Sequence, residues 1–145
     1  MSNLSTLAPV DTLHLLGRLG LSLFVGSVIG FNREREHKPA GLRTYMLVTF
    51  GTSLLALLPL QLGVALDSTD AFSRIIQGIV TGISFLGGGT ILRDHDRVRG
   101  LTSAAAIWVA SALGLLIGCG LWQLGLVSVV ICWVILRVLK ELEPL

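Results

Sequence analysis

Long apolar segments separated by short polar turns dominate the chain. Pro39 and Gly41 prevent one helix from running through the first turn, and Pro59 marks the last turn of the second helix. The pattern predicts an all-α fold, a polytopic membrane helix bundle. About five transmembrane helices are expected, each long enough for a hydrocarbon core of about 30 Å. The predicted spans are 13–31, 43–62, 74–92, 101–118 and 121–139.

Composition supports the bilayer as the surrounding solvent. Apolar residues make up 52% of the chain and charged residues only 14%, with a mean hydropathy of +0.79. A soluble domain needs more charge than this to cover its surface. At 145 residues the chain is expected to form one domain, 1–145. The N-terminal residues lack the basic region of a signal peptide, so the first apolar segment is expected to be kept as a span.

Basic residues concentrate in two turns, at 32–43 and 93–99, and near the C-terminal end. Of the 11 lysines and arginines, only Arg18 and Arg74 fall on or near the other side. The positive-inside rule therefore places both turns and the C-terminus in the cytoplasm of a bacterial inner membrane, with the N-terminus outside.

Arginines beside a helix start favour anions such as lipid head groups or a phosphate on a ligand. The alternative is that these arginines only fix the topology. Candidate residues for a cytoplasmic mouth or an anion contact are Arg33, Glu34, Lys38, Arg43, Arg93 and Arg99.

Glycines recur at spacings that allow helices to approach closely, as in small-xxx-small faces. The three consecutive glycines at 87–89 are compatible either with close helix packing or with a break in the third helix. The candidate helix-packing positions are Gly26, Gly30, Gly78, Gly82, Gly87, Gly88, Gly89, Gly114 and Gly118.

Two polar side chains fall inside predicted spans, Arg18 in the first and Gln77 in the third. Arg18 lies about one turn from the outer end. It either extends to the interface, or is buried against a carboxylate or in a cavity.

A weak internal repeat relates the two basic turns. Residues 30, 41, 42 and 44 match 89, 100, 101 and 103 at a constant offset. The match predicts two weakly similar helix–loop–helix hairpins that point the same way, as in parallel transporter repeats. A likeness of composition alone is the alternative.

Several chemistries find little support in the sequence. Gly89 and Thr90 lack the lysine of a P-loop, and the three histidines have no partners at triad or metal-ligand spacing. No acid lies well inside a span, so a dedicated Mg²⁺ pore is weakly supported. We therefore expect no enzyme, no metal site, no cofactor and no nucleic-acid partner.

Two long motifs resemble the MgtC/SapB family of bacterial inner-membrane proteins. The first is Gly-Phe-Asn-Arg-Glu followed by Lys-Pro-Ala-Gly-Leu-Arg-Thr, within 30–44. The second is Phe-Leu-Gly-Gly-Gly-Thr-Ile-Leu-Arg followed by Val-Arg-Gly-Leu-Thr-Ser-Ala-Ala-Ala-Ile-Trp-Val, within 85–109. The family often opens its first loop with Glu-Arg-Glu, where this chain has Asn-Arg-Glu. The resemblance implies a plasma-membrane protein associated with magnesium limitation, here as the membrane domain without the C-terminal cytosolic domain of several members.

Two functional hypotheses follow. The first is a transporter-like or channel-like protein linked to magnesium homeostasis, with the basic turns at its cytoplasmic mouth. The second is a non-transporting modulator that binds a partner membrane complex, such as an ATPase, through its small-residue faces. The same faces are compatible with a homodimer in the lipid bilayer.

Overall fold

The computed structural model describes residues 10–63, 69–94 and 97–142. These residues form five helices and one short antiparallel hairpin. The helices are α1 (Thr12–Arg35), α2 (Leu42–Gln61), α3 (Thr69–Gly89), α4 (Leu101–Gly118) and α5 (Trp122–Leu142). The strands are β1 (Leu92–Asp94) and β2 (Arg97–Arg99).

The helix bundle confirms the predicted all-α membrane fold. Within the described residues, α1, α2, α4 and α5 are long and apolar enough to cross a bilayer. With its 21 residues α3 has the length. It is not among the four, because Arg74, Gln77 and several glycines lower the mean hydropathy of its sequence.

The first basic turn is shorter than predicted. Helix α1 continues to Arg35, past the expected end at 31, because no helix breaker precedes Pro39. The second basic turn, expected as a loop, contains the β1–β2 hairpin. The glycine run at 87–89 does not break α3, which ends at Gly89.

The two basic turns lie at the same pole of the bundle. Residues of both turns, among them Lys38 and Arg99, line one cavity. Helix α2 leaves this pole and α4 starts from it, so α3 returns the chain along the bundle. Gly41 and Gly100 are the N-cap residues of α2 and α4, which agrees with the repeat offset. The two helix–turn–helix units therefore point the same way.

Helices α1, α2 and α4 form the tightly packed centre, and glycines set their separation. A Cβ at Gly26 would lie 2.8 Å from the Cα of Met46, and one at Gly30 would lie 2.7 Å from the Cα of Leu42. On α4, a Cβ at Gly118 would lie 2.7 Å from the carbonyl oxygen of Ser53, and one at Gly114 would overlap α2 in the same way. The backbones approach so closely that larger residues do not fit.

The glycines of α3 are different. A Cβ at Gly87 would make an ordinary contact with Ala104, 3.5 Å from its carbonyl oxygen. A Cβ at Gly78, Gly82, Gly88 or Gly89 would meet no described atom within 4 Å. These four predicted packing positions therefore lie against no neighbouring helix in the described part of the chain.

We expect Gly26→Ala to lower the free energy of unfolding by about 1–3 kcal/mol, because the added methyl group must push α1 away from the α2 backbone. An SDS titration of the purified protein, followed by circular dichroism, measures the change. The matched control is Gly20→Ala in the same helix, where a Cβ meets nothing within 4 Å. It should be neutral or stabilising, since alanine favours a helix by up to about 1 kcal/mol over glycine. Equal losses for both variants would contradict glycine-controlled packing.

Candidate functional site

A polar cavity of about 520 Å³ opens at the pole where the basic turns meet. Its wall is built from the end of α1, the turn that follows it, the β1–β2 hairpin and the first turn of α4. We call it the polar cavity. The charged side chains that line it are Arg33, Glu36, Lys38 and Arg99.

Arg33 is the most deeply placed of these side chains, with only 2% of the residue exposed. Its Nη2 donates a hydrogen bond to the Ser103 hydroxyl at 3.0 Å. Its Nη1 lies 4.0 Å from the Glu36 carboxylate, while its Nε has no hydrogen-bond partner. A buried guanidinium needs such partners because desolvation of a charge is costly. The additional turn of α1 beyond residue 31 carries Arg33 into this position.

Glu36 connects α5 to the cavity wall. Its Oε1 lies 3.2 Å from Lys140 Nζ near the end of α5, and 3.5 Å from Asn32 Nδ2. Its Oε2 accepts no hydrogen bond from the described residues. One carboxylate therefore serves both Arg33 and Lys140.

The first turn of α4 is fixed from two sides. The fully buried Tyr45 on α2 donates a hydrogen bond from its hydroxyl to the Ser103 carbonyl oxygen at 3.3 Å. Gly100, the N-cap, has φ of +91°, and a Cβ there would overlap the carbonyl oxygen of Thr90. Glycine is therefore required at this point. Among the described residues no side chain caps the helix, whose start lies in the cavity wall.

The register of the hairpin decides which arginine reaches the cavity. Leu92 pairs with Arg99, and Arg93 pairs with Val98. Because alternate residues of a strand point to opposite faces, Leu92 and Arg99 share one face while Arg93 and Val98 share the other. Both members of the first pair line the polar cavity, and neither member of the second does.

The structure brings three of the six candidate mouth residues together, namely Arg33, Lys38 and Arg99. Glu34 instead caps α2, where its Oε2 accepts a hydrogen bond from the Leu42 amide at 2.9 Å. A Cβ at Gly41 would overlap that carboxylate, so the cap explains the glycine. Arg43 is exposed and lines a separate apolar groove of about 860 Å³ between α2 and α3.

Sequence reasoning missed Glu36, Tyr45, Ser103 and Lys140 as site residues. The spacing of Arg33 and Glu36, three apart on one helix, was the available signal for that pair. Tyr45 and Lys140 come from separate helices, and nothing in the local pattern links them to the turns.

Arg18 lies at the opposite pole, half-buried, and donates a hydrogen bond from Nη1 to the Gly118 carbonyl oxygen at 2.8 Å. The partner is thus the C-terminal end of α4, where helix carbonyls attract a cation. The exposed Gln77 lies on α3. In the turn after α4, burial raises the pKa of the Cys119 thiol to about 11, although the nearby Arg18 opposes the shift.

The charges of the polar cavity favour anions. Arg33, Lys38 and Arg99 face one carboxylate, Glu36, which Lys140 also contacts. In the described part of the chain, no group of three or more histidine, cysteine, aspartate or glutamate side chains could hold a metal ion.

Comparisons with known proteins agree with the motifs. The model of the MgtC family matches residues 19–145. "Protein SrpB" of Synechococcus elongatus is 43% identical over 143 residues, covering 92% of this chain and 79% of the relative. The "Putative magnesium transporter YhiD" of Escherichia coli K12 is 36% identical over 135 residues, covering 90% of this chain and 63% of the relative. "Protein MgtC" of Brucella abortus is 38% identical over 109 residues, covering 74% of this chain and 44% of the relative.

The chain spans less than two thirds of the lengths of YhiD and MgtC. No solved structure matches it. The family model covers residues 19–145, and thus the helices and turns that build the polar cavity. The chain therefore belongs to the MgtC family, as a membrane protein of that family.

Proposed function

We propose that this chain is a non-enzymatic, transport-type protein of the bacterial inner membrane that acts in magnesium homeostasis. The observation that carries the proposal is the polar cavity, which opens where two basic turns meet at one pole of a membrane helix bundle. The name given to the E. coli relative, a putative magnesium transporter, supports the link to magnesium.

A series of buried hydroxyl groups supports a transport path. Ser103 forms part of the cavity wall, and further hydroxyl residues are buried in the three central helices. These are Ser22, Thr49, Thr52, Ser53 and Ser111. Thr49 and Thr52 donate to carbonyls of their own helix, whereas the Ser53 hydroxyl has no partner. Polar groups buried within membrane helices commonly mark substrate paths.

Glycine packing closes this path in the present conformation. Gly114 and Gly118 bring α4 against α2 beside Thr49 and Ser53. Transport would therefore require α4 to separate from α2 during the cycle, as helix pairs do when packed elements shift.

Transport through the polar cavity can be tested by placing a bulky side chain at its mouth. Thr102 is exposed and lines the polar cavity, whereas the neighbouring Leu101 is exposed but does not. Proteoliposomes of the wild-type chain should take up Mg²⁺, read by a trapped Mg²⁺-sensitive dye, faster than protein-free liposomes. Thr102→Trp should slow this uptake about tenfold, equivalent to about 1.4 kcal/mol in barrier height, because the indole obstructs the mouth.

Leu101→Trp is the matched control, since it adds the same side chain one position away. Its uptake should equal that of the wild type. No uptake by the wild-type protein, or equal slowing by both tryptophans, would refute transport through the polar cavity.

A specific observation favours the alternative, a non-transporting modulator or a homodimer. The groove between α2 and α3 is almost wholly apolar, and Gly51, Gly78 and Gly82 present no side chain there. Such a face accepts another membrane helix closely. Absence of flux, together with a partner complex whose association is lost in Gly82→Leu, would favour this reading.

The proposed orientation places both basic turns in the cytoplasm. In spheroplasts, a membrane-impermeant maleimide should label Leu62→Cys at the opposite pole, but should reach Lys38→Cys and Arg97→Cys only after lysis. Native Cys119 should contribute little background, because it is partly buried and its raised pKa lowers the fraction of reactive thiolate at neutral pH. Labelling of Lys38→Cys and Arg97→Cys from different faces would contradict the orientation.

A further inference from the structure

We propose that the polar cavity is a binding site for a phosphate-type oxyanion, held between Arg33, Lys38, Arg99 and the start of α4. The ligand is either free inorganic phosphate or the phosphate of an anionic lipid headgroup, which share this chemistry. The site does not depend on whether the chain transports anything.

The first argument is the unsatisfied guanidinium at the inner wall. Arg33 is 98% buried and lines the cavity, yet its Nε has no acceptor among the residues that the structure describes. A guanidinium has five N–H donors, and buried donors are rarely left without partners. The described partners of Arg33 are the Ser103 hydroxyl, the Glu36 carboxylate at 4.0 Å and the nearby hydroxyl of Tyr45, and none of them accepts from Nε. An oxyanion in the cavity would supply the missing acceptors.

The second argument is the start of α4. This helix has 18 residues, and its N-cap Gly100 has no side chain to accept from the first amides. The first amides of a helix have no acceptor within it and carry the positive end of its dipole, which attracts phosphate groups. The hydroxyl-bearing Thr102, which lines the cavity, adds a donor.

Comparison of the two repeat units shows that the start of α4 lacks the carboxylate that caps α2. In the first unit, the start of α2 is already occupied by an anion, because Glu34 accepts the Leu42 amide hydrogen bond. At the same offset that relates Gly41 to Gly100, the residue matching Glu34 is Arg93. The second unit therefore has no carboxylate at that position, and three cationic side chains line the cavity instead.

Charge selects the class of ligand. Among the described side chains, Arg33, Lys38 and Arg99 outnumber the one lining carboxylate, Glu36, which also pairs with Lys140, so a phosphate dianion would offset an excess of positive charge. Arginine pairs with phosphate through parallel hydrogen bonds, and lysine acts as a point charge. With about 520 Å³, the cavity has room for a phosphate together with part of the molecule that bears it.

The test is a binding titration of the full chain in detergent. Inorganic phosphate is added at constant ionic strength, with chloride as the comparison salt, and heat of binding is measured by calorimetry. A parallel arm measures thermal stability in nanodiscs of phosphatidylcholine with and without phosphatidic acid. We expect saturable binding or stabilisation by phosphate in at least one arm. A response to inorganic phosphate identifies a soluble ligand, and a response to phosphatidic acid alone identifies a lipid headgroup.

Two arginines of the hairpin provide a matched pair. Both are exposed, but only Arg99 lines the cavity. Arg99→Gln should weaken binding about tenfold, as expected for loss of one charge-assisted hydrogen bond. Arg93→Gln removes the same charge from the other face and should leave binding within about twofold.

A second variant separates loss of the site from loss of the fold. Thr102→Glu adds a carboxylate in the first turn of α4, where it should occupy the anion position. Acidic residues stabilise helix starts, so the protein should remain folded while phosphate binding is lost. No response of the wild-type chain in either arm, or equal weakening by Arg93→Gln and Arg99→Gln, would overturn the proposal.

Discussion

The close approach of α1 to α2 through Gly26 and Gly30 is the constraint on which the rest of the structure depends. With no side chains between them, the two backbones come within contact distance near the pole that carries the basic turns. Helix α1 then continues for another turn beside the start of α2, so that Arg33 is carried inward. Its guanidinium reaches Ser103 on α4 because Tyr45, on the adjoining helix, holds the same turn of α4 in place. A polar cavity thus forms at the end of an apolar bundle.

The two repeated units use the same turn in different ways. Gly41 and Gly100 both stand at helix starts, but for different reasons: Gly41 leaves room for a carboxylate, and Gly100 adopts a positive φ beneath the Thr90 carbonyl. In the first unit, Glu34 accepts a hydrogen bond from the start of α2, so this turn has a structural role. The second leaves its helix start open toward the cations of both units. Of the two similar turns, one thus has its helix start capped internally, and the other is the turn at which we propose that a ligand binds.

Much of the fold could be predicted from the sequence, because apolar periodicity and helix breakers are local signals. The expected limits of α4, 101–118, agree with the observed helix. The limits of α1 could not be found in the same way, since a charged end of a helix looks like a loop until Arg33 is seen to be buried. Residue type alone also gave the glycines of α1 and α4, whereas the position of Gly78 and Gly82 in an open groove, without close contacts, depends on how α3 lies against α2.

Only part of the candidate site could be predicted, because the direction in which a side chain points depends on how its helix or strand is placed. Arg93 and Arg99 are the same residue type and lie at similar distances from the predicted spans. Only the register of the hairpin determines which of them faces the cavity. Arg43 stands one residue inside α2, where the turn of the helix points it toward α3 rather than toward Arg33. Glu34 and Glu36 differ by two positions on a helix, so they face different neighbours, and one caps α2 while the other meets Lys140. Such assignments need the relative placement of three or more elements.

The charge of the polar cavity also bears on the proposed role in magnesium homeostasis. Among the described residues, the cations at the mouth outnumber the carboxylates and oppose the entry of Mg²⁺, since Glu36 is already engaged by Lys140. At about 5 Å and an effective dielectric constant of about 20, each such charge repels a divalent ion by several kcal/mol. A bound phosphate dianion would offset most of this excess and supply the oxygen ligands that Mg²⁺ prefers. An anion at the start of α4 would therefore lower the barrier to cations, and the basic turns would then be compatible with the proposed role in magnesium homeostasis.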